Sequence, residues 1–170
     1  MDDDRETTVP RWLRVAFRLP NLLYNRGVGW VLGRRFLRLA HTGRRSGKRY
    51  ATVLEVVRFD PGVPEFVVVS GFGQGADWLR NLEAGGPAEV TVGRSTFAAC
   101  HRRLTLEQAV AVFGAYERRH RALGPVLRRV LSRLLGWPYD GSVEARRRMA
   151  GQLPLVALRP ATSHDLAPPS

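Results

Sequence analysis

The chain has 170 residues, of which 44% are hydrophobic, enough for one domain with a real core and too apolar for a disordered chain. Its single cysteine, Cys100, excludes an intrachain disulfide and fits a reducing compartment, and the spacing of His41, His101, His120, His164 and Cys100 does not suit a metal site, so no metal is expected. The formal net charge is +12, almost all of it from Arg, with Lys48 the lone lysine. Residues 1–49 and 102–148 are strongly basic and the stretch between them is slightly acidic. Such a charge attracts polyanions: phosphorylated cofactors, nucleic acid or an anionic membrane. Arg interrupts every apolar stretch before it reaches about 18 residues, which argues against a spanning helix. The chain opens on Asp2–Asp4 rather than on a basic segment before an apolar run, so the expected location is cytoplasmic, with the inner face of the cell membrane as a variant.

In chain order, Pro10–Tyr24 reads as a basic amphipathic helix, with Arg11, Arg14 and Arg18 three and four apart, and Val28–Arg35 as a short helix or turn. Together they form an N-terminal helical segment over residues 1–35. From Phe36 the period changes to that of a strand running into His41-Thr42-Gly43, followed by a polar hairpin loop to Arg49. Tyr50–Phe59 is a strand rich in β-branched residues, and Asp60-Pro61-Gly62 is a turn. Glu65–Ser70 follows, its Val67-Val68-Val69 run indicating burial on both faces. Gly71, Gly73 and Gly75 mark a loop, Ala76–Ala84 a short helix, and Glu89–Val92 with Thr96–Arg103 a hairpin turning at Gly93-Arg94. Thr105 and Gln108 make a capping box for a helix to His120. Pro125–Leu135 is an amphipathic helix, Ser142–Met149 another, Leu153–Leu158 a last strand, and residues 161–170 a disordered tail. Short turns between successive strands predict a mostly antiparallel sheet. The fold class is α+β, a barrel of about six strands over residues 36–160, with peripheral helices and a helical insertion at 105–150.

Two stretches carry the chemistry. His41-Thr42-Gly43-Arg44-Arg45-Ser46-Gly47-Lys48 packs two glycines, two hydroxyls and three cations into eight residues, the donors that an anion needs, although a solvated basic hairpin has the same composition. It is not a P-loop, because Gly47-Lys48 is not followed by Ser or Thr. In Ser70-Gly71-Phe72-Gly73-Gln74-Gly75-Ala76-Asp77-Trp78-Leu79-Arg80-Asn81, a buried strand opens through a glycine-rich loop into a helix N-terminus, where backbone approaches a flat ring closely and negative charge is favoured. Here Trp78 is either an apolar wall or a core residue, and Asp77 either a site residue or a helix cap.

The ordered set Thr42-Gly43-Arg44-Arg45-Ser46-Gly47, then Trp78-Leu79-Arg80-Asn81-Leu82, then the closing Leu153–Pro160 resembles the deazaflavin (F420)-dependent nitroreductase family of the FMN-binding split β-barrel superfamily. The resemblance implies a split β-barrel that binds coenzyme F420, with FMN as the alternative; the dense cationic loop suits a long polyanionic tail better than one terminal phosphate. It implies an F420H2-dependent reductase that passes a hydride to a small organic acceptor: a quinone, nitroarene or activated alkene. Carried over residue by residue, the loop that holds phosphate and tail is Thr42, Arg44, Arg45, Ser46, Gly47 and Lys48. The loop against the ring is Ser70, Gly71, Phe72 and Gly73, and Trp78 and Asn81 match the site helix. The family's Pro-Arg after the loop is replaced by Arg49-Tyr50, whose Arg side chain is expected on the other face. Tyr116 matches one of the family's tyrosines and His120 stands one helical turn later; as candidate catalytic residues they would supply the proton that hydride addition demands. Against these stand the same two residues as an ordinary exposed helix face, and two further readings of the chain. The basic helices at Pro10–Tyr24 and Pro125–Leu135 suit peripheral membrane association. Charge alone suggests nucleic acid, but no nucleic-acid-binding signature supports it, so the expected partner is a small-molecule substrate.

Overall fold

A computed structural model describes residues 35–162. The helix expected over Pro10–Tyr24, the piece over Val28–Arg35 except its last residue, and the tail beyond residue 162 lie outside the described residues. Six strands and four α-helices follow in the order β1 (Phe36–Thr42), β2 (Arg49–Asp60), β3 (Glu65–Val69), α1 (Asp77–Glu83), β4 (Ala88–Val92), β5 (Ser95–Arg103), α2 (Leu106–Arg119), α3 (Gly124–Leu135), α4 (Val143–Gln152) and β6 (Leu155–Pro160). The strands close into a barrel in the order β1-β2-β3-β6-β5-β4, every neighbouring pair antiparallel, with β4 returning to β1. This is the α+β split barrel that the sequence implies. Its last strand begins two residues later than the apolar run, because Pro154 has no N–H for the ladder and pairing starts at Leu155 against Val69.

Strand alternation builds the inside. Leu37 and Leu39 of β1, Leu54 of β2, Phe66 and Val68 of β3, Val90 and Val92 of β4, and Val156 and Leu158 of β6 form one core, to which α1 adds Trp78, Leu79 and Leu82. A second core forms where Val57, Val67, Leu155 and Ala157, on the outer faces of their strands, meet Ala109, Val112 and Phe113 of α2 and Ala145, Met149 and Ala150 of α4. Strands β3 and β6 therefore bury both faces, which is the physical reason for the unbroken Val67-Val68-Val69 run.

The helix starts follow the capping chemistry. Thr105 Oγ1 accepts from the Gln108 N–H at 3.3 Å, and Gln108 Oε1 accepts from the Thr105 N–H at 3.1 Å. Ser142 Oγ accepts from the Ala145 N–H at 3.1 Å. Helix α1 differs: its cap residue is Ala76, with no side-chain cap bond, and Asp77 is its first residue. The Asp77 carboxylate is turned elsewhere, to Arg44. Where the barrel meets its helical side, buried Glu65 accepts a bidentate pair from Arg102, Nε to Oε2 at 3.1 Å and Nη2 to Oε1 at 3.0 Å, and approaches Arg58 at 3.4 Å, joining β2, β3 and β5.

Candidate functional site

The β1–β2 hairpin and the segment leading into α1 enclose a cavity of about 740 Å³. Of the residues singled out from the sequence, Arg44, Arg45, Ser46, Phe72, Trp78 and Asn81 line it. Around them the fold adds His41, Tyr50 and Thr52, which sequence reasoning did not assign to the site, and Asp77, for which it left a site role and a helix cap open. The period of the strands could have found three of these. His41 continues the inward series of Leu37 and Leu39, and it pairs directly with Tyr50, as Leu39 pairs with Thr52.

Local geometry shapes the hairpin loop. The Gly43 N–H donates to the Lys48 carbonyl and the Gly47 N–H to the Gly43 carbonyl, both at 2.8 Å. A side chain at Gly43 would meet the Tyr50 ring at 2.6 Å, so only glycine lets that ring lie against the loop. Gly47 turns the chain at a φ of +65°, in the left-handed region. Gly47 and Lys48 thus form the loop without lining the cavity. Arg49 points away, as its strand position requires, and pairs with Glu89 at 2.7 Å. Thr42 is not among the lining residues either. On the opposite rim Ser70, fully buried, donates from Oγ to the Gly73 carbonyl at 2.6 Å; this bond holds the turn that presents Phe72, while Ser70, Gly71 and Gly73 themselves stay out of the lining.

One side-chain network ties the two rims together. Asn81, buried on α1, accepts at Oδ1 from the Arg44 backbone N–H at 3.1 Å and from Arg44 Nη1 at 2.9 Å. Arg44 Nη1 also reaches Asp77 Oδ1 at 3.0 Å. The Asn81 Nδ2 group lies 3.0 Å from His41 Nδ1, and the His41 ring stacks on Tyr50 at 6.0 Å. Burial holds His41 below its ordinary pKa, opposed in part by the Asp77 carboxylate. Trp78 unites its two readings: it is buried in the barrel core and also walls the cavity. Two guanidiniums against a single carboxylate leave the lining positive, a setting for an anion.

Tyr116 and His120 are not brought to this cavity. They sit on and just after α2, where the Tyr116 hydroxyl donates to Glu55 Oε1 of β2 at 3.0 Å and the His120 ring tilts against Tyr116 at 4.3 Å. Burial and the neighbouring Glu55 push the Tyr116 hydroxyl up to about 12. Among the described residues no group of three or more His, Cys, Asp or Glu could hold a metal, and no helix is long and apolar enough to cross a membrane.

Residues 16–122 match the sequence profile of the F420H(2)-dependent quinone reductase family. The chain belongs to this family. The reductase is thus an oxidoreductase whose cofactor is coenzyme F420, and its cavity carries a fitting donor set: cations for a phosphorylated, acidic tail beside an indole wall for a flat ring. Several solved structures are similar to the chain at low identity. An F420-H2 dependent reductase, FDR-A, is 19% identical with a TM-score of 0.43, over 75% of this chain and 96% of that one. A protein related to general stress protein 26, of the pyridoxinephosphate oxidase family, from Clostridium acetobutylicum is 6% identical with a TM-score of 0.47, over 82% and 84% of the two chains. A pyridoxamine 5'-phosphate oxidase-related, FMN binding protein from Nostoc punctiforme is 15% identical with a TM-score of 0.40, over 90% and 82%. No curated protein matches the chain.

Proposed function

We propose that this reductase holds coenzyme F420 in the cavity between the β1–β2 hairpin and α1 and reduces a quinone. The observation that carries the reading is Arg44. Its guanidinium is fixed at the cavity wall by Asn81 and Asp77 and shielded to 24% exposure, next to Arg45 and Ser46. A cation pre-positioned in this way loses little freedom when it binds an oxyanion, and its planar fork matches phosphate or carboxylate oxygens. Arg45 and Ser46 add a second cation and a neutral donor. Phe72 and Trp78 offer apolar surface to the ring and keep water from it. Reduced coenzyme F420 supplies the hydride when bound, so the protein has to bind, orient and desolvate rather than provide a nucleophile.

A quinone that takes up a hydride also needs a proton. The proposal that Tyr116 or His120 delivers it places the source at the C-terminal end of α2, with the Tyr116 hydroxyl engaged by Glu55 rather than directed to the cavity. The quinone is preferred over a nitroarene or an activated alkene because the family is described by that acceptor.

The test is a fluorescence titration of the full chain with oxidised F420 and, separately, with FMN. F420 is expected to bind and FMN to bind far more weakly. Arg44→Ala is expected to weaken F420 binding by more than about tenfold, the scale of a lost charge-assisted hydrogen bond. Lys48→Ala, outside the lining, should cost only about two- to threefold and lose even that in high salt. Equal losses at the two positions, or no F420 binding, would overturn the assignment. Turnover with a quinone series against nitroarenes and activated alkenes then decides the acceptor.

A further inference from the structure

Asn81 decides where the proton of His41 resides. Its side chain receives two hydrogen bonds from Arg44, one from the backbone N–H and one from Nη1, and both of those groups can only donate. The oxygen of the amide must therefore face Arg44, which turns Nδ2 to His41. That NH2 group can also only donate, so His41 Nδ1, 3.0 Å away, is the acceptor and carries no proton. In the neutral ring the proton is then on Nε2. Three further observations concern this ring. His41 lines the cavity. Its ring plane is held by stacking on Tyr50, the residue directly opposite in the β1–β2 ladder. Among the described residues Nε2 has no hydrogen-bond partner.

We propose that His41 is a binding residue of the cavity, a neutral Nε2–H donor aimed at an anionic oxygen of the bound cofactor, and that Asn81 is the positioning residue that sets its tautomer. The ligand half of this statement rests on the cavity being the F420 site; the tautomer half does not. The charged and titratable groups around the ring are Asp77 on α1, Arg44 and Arg45 in the hairpin loop and Tyr50 on β2. Burial disfavours the charged imidazolium, with Asp77 opposing. The site would then combine two cations with one neutral, fixed donor. The cations attract any anion, whereas a donor fixed in direction selects where an oxygen sits.

The test is nitrogen-15 NMR of the histidine-labelled full chain at neutral pH, with the His41 signal identified by its loss in His41→Gln. The free protein is expected to show one tautomer, with the proton on Nε2. In Asn81→Asp the carboxylate should accept from both Arg44 and Nδ1, so that Nδ1 carries a proton at neutral pH. Adding F420 or, in a separate arm, inorganic phosphate should shift the Nε2–H signal; a shift with phosphate identifies the oxygen as a phosphate oxygen, and a shift with F420 alone assigns another oxyanion of the cofactor. His41→Phe keeps the ring stack and loses the donor, and should weaken F420 binding about tenfold. His41→Gln can accept from Asn81 and still donate into the cavity, and should stay within about threefold. A free-state proton on Nδ1, no shift with either ligand, or wild-type affinity in His41→Phe would overturn the proposal. If the wild type binds no F420, the cofactor assignment falls with the ligand half, and the free-state spectrum still decides the tautomer.

Discussion

Arg44 spends its donors on α1, 33 and 37 positions along the chain, and that choice turns a basic loop into a site. The sequence marks it as a cation beside glycines; nothing in the sequence marks Asp77 and Asn81 as its partners, since hydrogen bonds at that separation follow from the barrel's closure. His41 was legible as a strand residue, and only its place in the inward series of β1 marked it as a lining residue. Tyr116 shows the converse. The resemblance offers it as a proton donor, whereas the structure gives its hydroxyl to Glu55 and raises its pKa to about 12, which makes it a poor acid at neutral pH. Tyr116→Phe is expected to cost about 1 kcal/mol of stability, measured by urea unfolding, and to leave F420 affinity unchanged. A variant with intact F420 affinity and a quinone turnover reduced more than about a hundredfold would return Tyr116 to catalysis.

At the scale of elements, periodicity placed the strands and helices well because the number of covered faces sets the apolar pattern. The barrel interior demands alternation in β1 and β2, and double coverage by interior and helices demands the apolar run in β3. Helix α3 is covered only in part. It is strongly amphipathic in sequence, yet none of its residues is fully buried: Leu131, Leu134 and Leu135 pack against the second core, whereas Val126 and the preceding Leu123 are exposed, as are Arg128, Arg129 and Arg133. The family match ends at residue 122, just before it. These features favour the peripheral membrane reading as a second proposal for this element. Full-length protein is expected to float with vesicles rich in anionic lipid at low salt and to be released by high salt or by Arg129→Glu with Arg133→Glu. Flotation unaffected by lipid charge, or none at all, would remove it.

For the molecule as a whole, the titration of two histidines, His41 buried and His101 half-buried, sets a direction. Burial lowers both His41 and His101 from the ordinary value of 6.5, opposed in part by Asp77 and Glu83 respectively. The unfolded chain then binds more protons than the folded one in the interval below 6.5. The stability that these groups contribute is complete above that value and is lost as the pH falls through their folded values. Thermal unfolding is accordingly expected at lower temperature at pH about 5 than at pH about 7, with a smaller drop in a His41→Gln, His101→Gln double variant. A drop of the same size in both proteins would assign the acid sensitivity to other groups.

What the sequence by itself determined were the properties written in neighbouring residues: the strands from their period, the α2 cap from Thr105 and Gln108, the cationic hairpin from its glycines and arginines, and the family from the order of its motifs. Only the tertiary structure decided which loop residues face the cavity, that Asp77 binds Arg44 instead of capping its helix, that Ser70 holds a turn, and that Tyr116 and His120 do not line the cavity. The physical reason is that closing the barrel brings the ends of β1 and β2 against α1. A donor's role depends on which acceptor stands within about 3 Å of it, and that is a property of the fold and not of the residues beside it in the chain.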